Sequence, residues 1–153
     1  MFLSRLRDSL LEAGYKLYPA SKEHMTKLQQ IYGELPLAYV EFLNLMGAGT
    51  NSVYFQGESC FTDELFHLNE WGRELLLEND SIHTLEESDF VFFMSQGCMF
   101  CYFNLAEGND PPVYFYTENR PNAVKKIADK FSDFLWNFYR HPTLALQGEK
   151  MDD

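Results

Sequence analysis

Apolar residues recur along this chain first at a helical period, then in near-continuous aromatic runs, and finally at a helical period again. Leu3, Leu6, Leu10, Ala13 and Leu17 predict an amphipathic helix over residues 3–17. Ser21 is a good N-cap for a second helix, with Met25, Leu28, Ile31 and Tyr32 inward and Gly33 ending it. Pro36 suits the first turn of a third, whose Tyr39, Phe42, Leu43 and Met46 share a face before Gly47-Ala48-Gly49 stops it. A short strand over residues 52–55 is expected next. A helix over residues 66–79 then places Leu68, Trp71, Leu75 and Leu76 inward and Glu70, Glu74 and Glu78 on another face.

The densest signal lies between positions 89 and 118, where aromatic and β-branched residues dominate three short segments. They predict strands over residues 90–94, 98–104 and 113–116. Ser95-Gln96-Gly97 closes the first pair as a hairpin. The second break, Glu107-Gly108-Asn109-Asp110-Pro111-Pro112, is a rigid acidic corner: Gly108 permits positive φ, Asp110 can hold a turn, and the prolines force extended backbone afterwards. Val124, Ile127, Ala128, Phe131, Phe134, Leu135 and Phe138 then predict a closing helix over residues 122–139, with Pro142 beyond its end. Helices, then mostly antiparallel strands, then a helix argue for an α+β fold, a single domain over residues 1–146 with a polar tail at 147–153.

Charge changes the picture more than composition does. The net charge is −11, yet residues 31–118 hold fifteen Asp or Glu against one base, Arg73. Such a field repels nucleic acid and anionic lipid and attracts basic proteins, although an acidic surface also serves solubility alone. With 46% hydrophobic residues the chain can build a core. It has no apolar run long enough to span a membrane, its start is interrupted by Arg5, Arg7, Asp8 and Glu12 where a secretory signal would be apolar, and three cysteines suggest no disulfide framework. A cytoplasmic protein with reduced thiols is the simplest expectation.

Candidate chemistry is sparse. Cys98 and Cys101 form a CxxC, but strand alternation would turn them to opposite faces, and Cys60 offers no second pair for zinc. His24, His67, His83 and His141 lack metal-ligand spacing, and no phosphate-binding glycine loop occurs. No metal or cofactor is therefore expected. Carboxylates are plentiful at Glu86, Glu87, Asp89, Glu107 and Asp110, so a carboxylate-dependent hydrolase stays open as an alternative. The acidic corner nevertheless favours an interface, because Glu107, Asp110 and Glu118 stand near Tyr102, Tyr114 and Tyr116, the residue types that anchor protein contacts. These six are the candidate protein-binding residues, and no catalytic residue is expected.

Three motifs in order carry a resemblance. They are Leu35-Pro36 with Tyr39, Phe42 and Leu43 ahead of a glycine turn; Gln96-Gly97 followed by Gly108-Asn109-Asp110-Pro111-Pro112-Val113-Tyr114; and Phe131-Ser132-Asp133-Phe134-Leu135. Over roughly residues 35–135 the chain resembles the SUKH superfamily, which includes the yeast Smi–Knr cell-wall regulator and many bacterial immunity proteins. The glycine turn departs mildly, reading Met46-Gly47-Ala48-Gly49 where many members have Asn-Gly-Gly. The resemblance implies a non-catalytic bacterial module that binds and blocks a cognate toxin domain. Nuclease toxins with basic surfaces would suit the acidic middle. A regulatory scaffold for endogenous partners is the other function that the resemblance implies, and oligomeric state stays open.

Overall fold

The computed structural model describes residues 1–52, 54–55, 58–79, 81, 83–118 and 124–149. Its elements run α1 (Ser4–Glu12), β1 (Leu17–Tyr18), α2 (Lys22–Tyr32), α3 (Leu37–Met46), β2 (Gly49–Thr50), α4 (Thr62–Glu78), β3 (Asp89–Ser95), β4 (Met99–Asn104), β5 (Val113–Thr117), β6 (Lys125–Ala128), α5 (Phe131–Arg140) and α6 (Pro142–Gln147). The strands form an antiparallel sheet in the order β3-β4-β5-β6 and a two-stranded β1-β2 pair, so the fold is α+β. No described helix is long and apolar enough to cross a membrane.

A bulge in β3 sets the core. Phe90 pairs with Phe103, Val91 with Tyr102 and Phe93 with Cys101, leaving Phe92 as the extra residue. The inserted residue breaks the alternation of faces, so Phe90, Phe92 and Phe93 all turn toward the same layer of helices. Phe92 packs edge-on against Phe131 and Phe134 of α5, and Phe93 against Phe134 and Phe138. Tyr39 of α3 sits at the centre, edge-on to Phe90, Phe103 and Phe131 at 5.2–5.5 Å. Each such pair contributes about 0.5–1.5 kcal/mol beyond its burial.

On the opposite face α4 lies against β3. Gly72 allows this closeness, since a Cβ there would stand 3.1 Å from the Val91 Cγ2. The outer edge of β3 is closed from α4 by Asn69, whose Nδ2 donates to the Val91 carbonyl (3.3 Å) while its Oδ1 accepts from the Val91 N–H (2.7 Å). That buried amide imitates a neighbouring strand at the bulge. Further along the edge, Ser59 and Met94 exchange two backbone hydrogen bonds of 2.9 Å.

The structure departs from the expected elements in several places, and Ile31, expected inward on α2, is 54% exposed. The closing helix does not begin at 122: positions 122–123 lie outside the described residues, Lys125–Ala128 is strand β6, and α5 starts at Phe131. The apolar spacing Val124-Ile127-Ala128-Phe131 fits a helix locally, but β5 takes up residues 125–128 as its neighbour, and tertiary pairing outweighs propensity. The described residues of the strand expected over 52–55 are not extended into a strand. Ser52 is in a bend, Tyr54 and Phe55 form a turn with Phe55 at φ 58°, and Val53 lies outside the described residues. Helix α1 ends at Glu12, which leaves Leu17 to β1, and α4 begins at Thr62, four residues earlier than expected. Trp71 faces outward, because Gly72 occupies the helix position against the sheet.

The Asn69 amide yields a stability prediction. Asn69→Ala strands a buried N–H and a buried C=O of Val91, and each unsatisfied group costs about 1–3 kcal/mol. Chemical denaturation should show a loss of at least about 2 kcal/mol. A variant as stable as the native chain would mean that the β3 edge does not depend on this amide.

Candidate functional site

The corner at 107–112 was expected to offer two surface acids. The structure divides them. Asp110 is half-buried, and its Oδ1 accepts from the Ser132 N–H at 2.9 Å while its Oδ2 accepts from the Ser132 hydroxyl. It thus satisfies the N-terminus of α5, whose own N-cap residue, Lys130, supplies no capping side chain. A carboxylate there also meets the positive end of the helix dipole. The preceding residue does a related job: the Asn109 carbonyl accepts from the Ala38 N–H (2.9 Å), and its Oδ1 accepts weakly from Leu37 N–H (3.4 Å), at the start of α3.

Glu107 remains outside, fully at the surface. The Tyr114 hydroxyl donates between its two carboxylate oxygens, 3.0 Å from each. Tyr114 in turn stacks on Tyr102 of the neighbouring strand, with ring centroids 5.3 Å apart and planes 26° from parallel. The pairing register places these rings side by side on the α4 face of the sheet. Burial pushes the Tyr102 phenol well above its ordinary pKa, reinforced by the negative charges of Asp89, Glu107 and Glu86 around it. The Tyr114 phenol is raised as well, first by desolvation and then by its bond to Glu107. Both rings therefore stay neutral in any physiological setting.

The remaining two candidates stand apart from this cluster. Tyr116 is fully buried and packs on Phe100 at 5.4 Å, so it supports the surface from below. Glu118 is exposed just past the end of β5, four residues from Tyr114, or about 13 Å at strand rise. Its backbone N–H is tied to the Cys98 carbonyl at 2.9 Å. Glu107, Tyr114 and Tyr102 are thus brought together; Asp110, Tyr116 and Glu118 are not part of the same contact surface.

Neither of two nearby bases is paired with Glu107. The Arg73 guanidinium donates to the backbone carbonyls of Asn69 (3.0 Å) and Glu86 (2.9 Å). Lys126, opposite Tyr114 in the sheet, pairs with Asp129 at 2.9 Å. Asp89 is held in place by the Asn104 amide and the Glu86 N–H, at 2.9 and 2.8 Å.

The thiols do not form a reactive pair in this arrangement. Cys60, Cys98 and Cys101 are free; Cys98 lies in the hairpin turn, one residue before β4, and Cys101 is buried within it. Burial pushes the Cys60 and Cys101 thiols well up, the opposite of what an activated thiolate needs. Among the described residues no group of three or more His, Cys, Asp or Glu is placed to hold a metal ion. The glutamate face of α4 was expected from sequence, but Trp71 was placed inward; the structure exposes it beside Glu70, Glu74 and Glu78. The run Glu70-Trp71 with glutamates at i+4 was the only signal of that exposure.

Compared with known families, the model of the SMI1 / KNR4 family (SUKH-1) matches residues 19–137, from the end of β1 into α5. No curated protein matches the chain.

The two corner acids make opposite predictions for stability. Asp110→Ala removes a helix cap made in trans and should lower unfolding free energy by about 1–2 kcal/mol. Glu107→Gln keeps the Tyr114 hydrogen bond and should change it by less than about 0.5 kcal/mol. Equal stability losses in thermal denaturation would contradict this division.

Proposed function

The chain belongs to the SMI1 / KNR4 family (SUKH-1), and from that premise we propose a cytoplasmic, non-catalytic protein-binding domain that captures and neutralises a basic toxin domain. The observation that carries it is the fifteen-to-one excess of acids over bases across residues 31–118. Clustered charge of one sign steers an oppositely charged protein and speeds its capture, which protection against a toxin requires. Glu107, with the Tyr102–Tyr114 stack beside it, is the proposed contact, since a rigid aromatic pair next to a carboxylate suits an arginine- or lysine-bearing surface. Asp110 and Tyr116 would contribute by holding that surface in place, and Glu118 by extending the negative field.

The test is co-expression with the toxin domains encoded beside its gene, scored by survival. Rescue by the native chain is expected. With the rescued toxin in hand, association should slow severalfold as salt rises, because ions screen exposed charges beyond a Debye length of about 8 Å at physiological strength. Glu107→Lys should slow association further while leaving the fold intact. No rescue from any neighbouring toxin would remove the immunity function and favour a regulatory scaffold for endogenous partners.

A further inference from the structure

Helix α4 presents a second surface whose electrostatics are unresolved within the chain. Its outward stripe carries Asp63, His67, Glu70, Trp71, Glu74 and Glu78, all exposed. Glu70, Glu74 and Glu78 follow one another at i+4, so their carboxylates sit one helical turn apart. Like charges at that spacing destabilise a helix by about 0.2–0.5 kcal/mol per pair. Among the described residues none of the three has a hydrogen-bond or ion-pair partner. The one arginine or lysine on the helix, Arg73, donates to backbone carbonyls.

Trp71 stands within this stripe at 39% exposure. One face of its indole is backed by the His67 ring, 5.4 Å away and 20° from parallel. That stacking orients the indole on a regular helix, and its exposed part is open to a ligand. Beside it lies a hollow of about 250 Å³, lined by Trp71, Glu74 and Glu78 together with Ser59, Met94 and Gly97. The β3 side of the hollow is rigid: Ser59 and Met94 are locked by paired backbone bonds, and Gln96 and Gly97 close the hairpin with φ of 54° and 71°.

We propose that this groove between α4 and the β3–β4 hairpin takes an arginine or lysine side chain from a basic segment of a protein partner. The cation would lie over Trp71 and between Glu74 and Glu78. Indole is the best of the side-chain rings for binding a cation, and flanking carboxylates add charge-assisted hydrogen bonds. Binding would also relieve the mutual repulsion of the glutamates, so part of the affinity is stored in the free protein. The inference rests on the proposed basic partner and names a contact for it that shares no residue with the Glu107, Tyr114 and Tyr102 cluster.

The probe is a fluorescein-labelled peptide of Arg-Ala-Ala repeats, titrated with the full chain at low ionic strength and read by anisotropy. Saturable binding is expected, with none to the matching Glu-Ala-Ala peptide. Trp71→Ala, and separately Glu74→Gln with Glu78→Gln, should each weaken binding by about fivefold or more, the range that a partly desolvated cation–π contact supports. Glu12→Gln, an exposed acid on α1, should leave affinity within about twofold. Circular dichroism would verify that each variant is folded. Absence of binding, or both groove variants within about twofold of native, would overturn the proposal. Failure of the native chain to protect would count against the toxin partner alone, since the peptide affinities decide the groove independently.

Discussion

The architecture depends on one short loop fastening two helices to the sheet at once. Consecutive residues, Asn109 and Asp110, meet the N-termini of α3 and α5, while Pro111 and Pro112 lead directly into β5. Helix N-termini leave backbone N–H groups without partners, and a buried end left so would be costly. The loop removes that cost for two helices whose own N-cap residues, Pro36 and Lys130, provide no capping side chain. Helix α1 is treated in the same manner: the Glu41 carboxylate of α3 accepts from the N–H groups of Phe2 and Leu3, both at 2.9 Å. For α1, α3 and α5 capping is therefore a tertiary device. It fixes where these three helices begin and also which elements stand side by side.

That placement is what the aromatic layer needs. Tyr39 of α3 and Phe131 of α5 converge on Phe90, Phe92 and Phe103 only if both helices start at set positions over the sheet. Ring pairs tolerate little sliding, because edge-to-face geometry is lost over a few ångström. The β3 bulge serves the same end from the other side by turning three phenylalanines into the layer. Asn69 then makes the bulged strand a closed edge, not one open to pairing with another chain.

What the sequence disclosed follows the range of the interactions concerned. Ser21 was legible as a cap because its hydroxyl accepts from His24 N–H three residues on, at 3.1 Å. The caps made by Glu41 and Asp110 were not, since their partners stand 38 and 22 or more positions away. The three central strands and their hairpin turn were readable from aromatic density and Gln96-Gly97. Strand β6 was not, because two exposed lysines ahead of a single buried Ile127 carry too little pattern to compete with the helix that follows. The acidic and aromatic character of the site was plain in composition. Which acids stay free was not, because Asp110 and Glu107 differ only in what the fold brings to them.

The same distinction orders the whole molecule. Carboxylates that meet backbone N–H groups, such as Glu41 and Asp110, are structural and replace missing caps. Those left on α4 and at Glu107 are tolerated at some cost to the folded state through mutual repulsion. A protein selected for stability alone could lower that cost by interleaving lysines at i+4, as many exposed helices do. This helix instead repeats glutamate at 70, 74 and 78 around an exposed indole. The rigid caps and aromatic layer supply the margin that lets such a surface persist, so the negative field rests on the strength of the core beneath it.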